Sequence, residues 1–323
     1  MRPAPFTWRD GERLVRFGRG TVAEAVGLAG DGPYALLTTR RAAVSAPGLA
    51  EAAAAVHEVP PGRVDDVATG LRGAVREPTL VALGGGRVID VAKALAAADP
   101  PRRVVAVPTT LSAAEMTTGH RLPAGVPSDA PRVRPQVVLN DPALSASQPE
   151  PGLAASAANA LGHAVEAPLT PRANPVATLA ARRAAELITA GLAEPEPGRD
   201  ALALGALLAG YAMDSTGYGL HHVLAQTLAR SAGVSHGAAN AAMLPHSIRA
   251  LAGRSPAGAA GAALLPAAER IRARAGAERL RDLGVAREQL PALASEAAAR
   301  PELAGTPPAA PEEELLALFE AAW

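Results

Sequence analysis

A chain of 323 residues is long enough for two domains with a sizeable core. Its 31 Lys and Arg balance 31 Asp and Glu, which removes the basic footprint of a nucleic-acid binder, and the absence of cysteine excludes disulfides, thiolate zinc sites and thiol nucleophiles. The opening MRPAPFTWRD has no signal-type apolar run, and the most apolar stretch, 201–213, stops at Asp214, short of a bilayer span. A soluble cytoplasmic protein with neither membrane nor nucleic-acid partners is expected. The composition is biased toward Ala, Arg, Gly and Pro, with one lysine, Lys93, against 30 arginines. Residues that resist this bias therefore carry the most information.

In chain order, 34–39, 80–83 and 104–107 are short apolar runs closed by turn residues and predict buried strands. Helical spacing covers 48–56 and 64–75, with 58–62 and 100–103 as loops. Strand alternating with helix argues for a parallel sheet covered on both faces, hence an α/β domain over 1–148. From about Pro151 the strand signal disappears. The stretches 153–167, 175–192, 201–229, 240–251 and 266–283 are apolar at helical period, and Pro311 followed by three Glu opens a last helix after the 305–311 loop. Residues 149–323 are predicted to be all-helical.

Three segments carry chemistry. In VALGGGRVIDVAKA (81–94) a strand runs through Gly84, Gly85 and Gly86 into a helix, baring amides where a phosphate can sit; an ordinary strand-to-helix turn is the plainer reading. Asp90 and Lys93 follow on the helix's first two turns. In VPTTLSAAEMTT (107–118), Thr109, Thr110 and Ser112 put hydroxyls at the carboxyl edge of the sheet, where one of them also suits a helix cap. The third is a histidine set. Asn159 and His163 share a helical face, His221-His222 and His236 lie on separate helical segments, and imidazoles from separate helices are the makings of a metal or proton-transfer site. His57 and His120 stand alone and read as core or surface residues.

Together GGGRVIDVAK, VPTTLSAAEMT, SAANALGHAVEA, GLHHVLAQTLAR and SHGAANAAMLPH, in this order over nearly the whole chain, resemble the iron-containing (group III) alcohol dehydrogenase family. AEMT at 114–117, Asn159 with His163, His221-His222 and RANPVATL at 172–179 resemble its maleylacetate reductase branch. The resemblance implies an N-terminal α/β dinucleotide-binding domain, an all-α C-terminal domain of the dehydroquinate synthase-like kind, and an active site in the cleft between them. It implies that Gly84, Gly85 and Gly86 face the pyrophosphate of NADH or NADPH, that Asp90 and Lys93 lie beside the cofactor, and that Thr109, Thr110 and Leu111 line its adenosine and ribose side. An Asp and three His hold a divalent ion in metal-dependent members, and the corresponding positions here are Asn159, His163, His222 and His236.

Several positions depart from the family pattern. Asn159 removes the anionic ligand and Asn is a poor ligand for a transition metal, so metal independence is expected; a bound ion would fall to His163, His222 and His236. Gln226 stands where the family has a further His and cannot donate a proton as an acid, while Arg87 and Ala114 stand where Ser is common. The implied activity is NAD(P)H-dependent reduction of an unsaturated oxo-acid or related carbonyl compound, as in degradation of aromatic compounds. Asn159, His163, His222, Gln226 and His236 would be at the reacting centre, with Arg121, Arg134 or His246 available for a dicarboxylate. No acid follows the 34–39 strand, and Arg40-Arg41 suit a 2′-phosphate, so NADPH serves as well as NADH. The alternatives are a non-redox lyase, cyclase or dehydratase that reuses the cleft, and a silent scaffold. A homodimer is expected from the family habit.

Overall fold

Strands whose side chains alternate between two buried faces organise the first unit, which comprises the chain up to Gln148 together with Arg199–Leu207. The structure is a computed structural model and describes residues 3–323. The strands are β1 (Phe6–Asp10), β2 (Arg13–Phe17), β3 (Tyr34–Thr38), β4 (Ala55–Glu58), β5 (Thr79–Gly84), β6 (Arg103–Pro108) and β7 (Val137–Asn140), in sheet order β1-β2-β7-β6-β5-β3-β4. Every neighbouring pair is parallel except the β1–β2 hairpin. Helices α1 (Ala25–Ala29), α2 (Arg40–Ala43), α3 (Pro47–Glu51), α4 (Val64–Leu71) and α5 (Gly86–Ala98) connect them.

The period of two explains both layers of core. Leu37, Leu80, Ala82, Val104 and Ala106 face one side against Val88, Ile89 and Leu95 of α5 and Val67 and Ala68 of α4. Leu36, Val81, Leu83, Val105 and Val107 face the other, against Ala25, Ala29, Leu49 and Leu144. Each fully buried Leu contributes about 1.5–3 kcal/mol, which is how a core almost without aromatics holds. The sheet also has members the sequence pattern did not reveal. Residues 55–58, expected as helix end and loop, form the edge strand β4 with exposure alternating along Ala55-Val56-His57-Glu58, and the helix expected over 48–56 shrinks to α3. The β1–β2 hairpin turns at Gly11, whose φ of 60° is open to glycine at little cost.

The second unit comprises Pro149–Gly198 and Leu208–Trp323. Its helices are α6 (Glu150–Glu166), α7 (Pro175–Gly191), α8 (Arg199–Thr216, whose first half counts with the first unit), α9 (Leu220–Ser231), α10 (His236–Ala252), α11 (Pro256–Gly261), α12 (Leu265–Arg274), α13 (Leu290–Ala298) and α14 (Glu312–Ala322). Helix α6 is buried along most of its length and packs on α7, α10 and α12. The single helix expected over 201–229 is two, because Gly217 at φ 82° ends α8 and the chain turns through Tyr218 and Gly219 into α9. The helix expected over 266–283 stops at Arg274, beyond which Gly276 has φ 64°. Among the described residues no helix is long and apolar enough to cross a membrane.

Candidate functional site

In the first unit β5 runs into Gly84, Gly85 and Gly86, and α5 starts without a side-chain cap. A Cβ on Gly85 would lie 3.0 Å from Thr110, and one on Gly86 would lie 3.0 Å from Ser112, so the two motifs separated in sequence pack against each other. A Cβ on Gly84 would meet Val88 at 2.6 Å. Glycine is thus required for a turn pressed against hydroxyl-bearing residues at the start of a 13-residue helix, a cradle that suits a pyrophosphate. Thr109, Thr110 and Leu111 line a small recess with Asn140, Asp141 and Ser145, and the Thr109 hydroxyl is buried without a partner. Beyond β3, Arg40 pairs with Glu58 at 3.1 Å and Arg41 donates to the Ser147 carbonyl at 3.3 Å.

Lys93 lies on α5, two turns beyond the glycines. Its side chain is fully buried and its ammonium donates to Asp90 Oδ1 (2.7 Å), the carbonyls of Gly119 (2.8 Å) and Ala114 (3.1 Å), and Thr117 Oγ1 (3.5 Å). It straps the 114–119 loop onto α5. Glu115 in that loop is buried, one carboxyl oxygen has no partner, and burial pushes its pKa up to about 7.

In the second unit α6 carries Asn159, His163 and Glu166 on one face, α9 opens with His221-His222, and α10 opens with His236. The rings of His163 and His222 stack at 4.4 Å with 16° between planes, and His221 meets His222 edge-on at 5.0 Å. Gly162 makes this possible, since a Cβ there would lie 2.3 Å from the His221 ring. The buried Glu166 accepts from His222 Nδ1 at 2.6 Å and from the His221 backbone N–H at 2.6 Å. An ionised Glu166 takes a hydrogen bond from Nδ1, a tautomer that leaves His222 Nε2 as a bare acceptor, and neither it nor His163 Nδ1 has a protein partner. Burial pushes His163 well below its ordinary value, and burial with neighbouring imidazoles takes His221 and His222 down to about 3. His236 is exposed, with Nε2 3.2 Å from Asn159 Oδ1 and from Asn240 Nδ2.

This donor set does not suit a divalent ion as it stands. A metal lies in the plane of each imidazole that binds it, and two stacked, nearly parallel rings direct their lone pairs side by side rather than to one point. Among the described residues no three His, Cys, Asp or Glu side chains come together as a metal-holding group. Gln226 lies one turn after His222. Its Oε1 accepts from Arg300 Nη2 at 2.7 Å, with Tyr218 Oη and Arg230 Nη2 each at 3.4 Å. Each of the three carboxylate-binding candidates has a protein partner: Arg134 faces Asp10 at 3.9 Å, Arg121 faces Asp65 at 3.3 Å, and His246 accepts from Arg272 at 3.3 Å. Sequence reasoning overlooked Glu166, Gly162, Tyr218 and Arg300. Only Glu166 left a signal, three residues after His163 on the same face.

A parallel-dominant α/β sheet with a glycine turn, followed in the chain by an all-helical unit with clustered imidazoles, defines the dehydrogenase architecture that the motifs resemble. The chain belongs to the iron-containing alcohol dehydrogenase family. The Fe-containing alcohol dehydrogenase family, C-terminal, matches residues 153–265. Maleylacetate reductase of Rhizobium sp. strain MTP-10005 is 32% identical over 241 residues, 69% of this chain and 68% of that protein. Maleylacetate reductase 1 of Rhodococcus opacus is 35% identical over 204 residues, 60% of this chain, and the match spans only 56% of that relative's length. The crystal structure of maleylacetate reductase from Agrobacterium tumefaciens superimposes with a TM-score of 0.83 at 27% identity, covering 100% of this chain and 99% of that one.

Proposed function

We propose that this chain is an NAD(P)H-dependent oxidoreductase that reduces an unsaturated oxo-acid or related carbonyl compound of the maleylacetate kind, without a catalytic metal. The observation that carries the reading is the buried Glu166–His222 pair, which presents a neutral imidazole with an unspent Nε2 against the stacked ring of His163. A bound reduced nicotinamide would supply the hydride.

The chain's own residues do the rest. The amides that follow Gly85 hold the pyrophosphate, Thr109, Thr110 and Leu111 border the adenosine and ribose, and Lys93 and Asp90 keep the adjoining loop in place from behind. Hydride addition to the carbonyl carbon or to a conjugated double bond leaves negative charge on the carbonyl oxygen. The bare Nε2 of His222, backed by Glu166, orders a water through which solvent returns the proton to that oxygen; in the reverse direction Nε2 accepts it. His163 and His236 complete the polar wall, and Asn159 fixes the His236 ring. Metal independence is supported by the stacked rings and by the neutral Asn159. A small-molecule substrate, a cytoplasmic setting and a homodimer belong to the same reading, and size-exclusion chromatography tests the last.

The deciding experiment is titration of chelator-treated protein with NADH and, separately, NADPH, followed by nicotinamide fluorescence, then addition of maleylacetate. Saturable micromolar binding and oxidation of the nucleotide are expected. Failure to bind either nucleotide at millimolar concentration would overturn the reductase and leave the non-redox reading of the imidazoles.

A further inference from the structure

We propose that Arg300 is the substrate-binding residue that takes an anionic group, a carboxylate, beside His222. This deepens the reductase reading by naming the charge the substrate carries and the group that meets it. Arg300 is 8% exposed. Its Nε and Nη2 reach Glu302 at 3.3 and 2.9 Å, and Nη2 also reaches Gln226 Oε1, but Nη1 is buried with no protein partner. An unsatisfied donor pair on a buried cation is costly, and a guanidinium edge matches a carboxylate in both spacing and charge.

The surrounding backbone fixes this side chain near the imidazoles. A Cβ on Gly305 would lie 2.0 Å from the Tyr218 carbonyl and one on Gly219 would lie 2.6 Å from Thr306, whose hydroxyl accepts from the Leu220 N–H at 2.9 Å. The 300–306 segment is thereby clamped to the turn that leads into α9 and its His222. Tyr218 spans the two groups: its ring centroid is 5.5 Å from that of His222 and its hydroxyl is 3.2 Å from Glu302 Oε1. Gln226 belongs to the same device. A histidine at that position would set one ionisable cation against another, whereas the amide oxygen accepts from Arg300 and holds the fork. Glu302, 35% exposed, can yield part of its hold on the guanidinium to a ligand.

Calorimetric titration of the intact chain with maleate, and separately with its uncharged dimethyl ester, tests this without any redox step. Wild type should bind maleate at least about 10-fold more tightly than the ester, and Arg300→Gln should weaken maleate about 30-fold or more while leaving the ester unchanged. Glu302→Gln, at a partly exposed position, should tighten maleate by about 3-fold, which keeps the idea testable if the Arg300 variant unfolds. Equal maleate affinity in wild type and Arg300→Gln, no binding of maleate by wild type, or weaker binding by Glu302→Gln would each overturn the assignment. Protein that binds maleate through Arg300 but never oxidises NAD(P)H would refute the reductase reading alone.

Discussion

Lys93→Met keeps the aliphatic stem and removes the charge at the one position where this chain retains lysine. Four protein groups lose their donor: Asp90, Thr117 and the carbonyls of Ala114 and Gly119. Removing one member of a buried ion pair costs about 3–5 kcal/mol, and Asp90 at 27% exposure puts the expectation near the lower end, about 3 kcal/mol. For a unit of this size that is a fall in Tm of about 6–12 °C, read by scanning calorimetry. Because Ser112 and Ala114 adjoin Gly86, releasing the loop should also weaken nucleotide binding by about 10-fold. Arg is no substitute, since its larger planar head has no room in a fully enclosed site with partners arranged around a compact ammonium. Asp90→Asn in the same chain should restore part of the loss by removing the stranded carboxylate. A Lys93→Met protein within about 1 °C of wild type, or a double variant no better than the single one, would refute the strap.

Glu115 is held near pKa 7 against an ordinary 4.5, so the folded state binds its proton more tightly than the unfolded state. Its stabilising effect is full below about pH 4.5 and disappears as pH rises through about 7; Glu115→Gln should flatten that slope and raise Tm at about pH 8. Gly162→Ala drives a Cβ into the His221 ring and should cost about 1–3 kcal/mol in a urea melt while abolishing turnover. Glu166→Gln keeps the volume but loses the carboxylate that balances His222, and should lower kcat about 100-fold with nucleotide affinity, measured by fluorescence, unchanged.

The parts of the fold that follow from local pattern were legible in the sequence. Strands at 79–84 and 103–108 announce themselves as apolar runs, and the helical half by its period. The edge strand β4 escaped because an Ala-rich stretch with one Val reads as helix until β3 pairs with it. The break at Gly217 escaped because glycine is too common in this chain to mark a turn by itself. The same limit divides the site. Gly84–Gly86 and the histidines are visible as motifs, and the rarity of Lys93 flagged its importance, but two of its four partners are carbonyls 21 and 26 residues downstream that no side-chain pattern encodes. Arg300 meets Gln226 across 74 residues, and among 30 arginines nothing distinguishes it in the sequence.

The two family departures in the helical unit share one electrostatic logic. Asn159 stands where an anionic ligand is usual and Gln226 where an ionisable imidazole is usual, and each puts a neutral amide oxygen against a nitrogen, His236 Nε2 in one case and the Arg300 Nη2 donor in the other. Without the first carboxylate there is less charge to hold a divalent cation, and His163 and His222 can stack as neutral rings rather than spread around an ion. In place of the second imidazole, Gln226 gives Arg300 an acceptor on α9. Glu166 is then left as the carboxylate bonded to the stacked imidazoles, tied to His222 Nδ1. On the proposed reading, proton transfer falls to an imidazole backed by Glu166 and substrate charge to the Arg300 guanidinium. Reversing both changes together, Asn159→Asp with Gln226→His, should raise zinc affinity and lower maleate affinity in the same protein, and calorimetric titration with each measures the trade; no gain in zinc binding would break the link between the two positions.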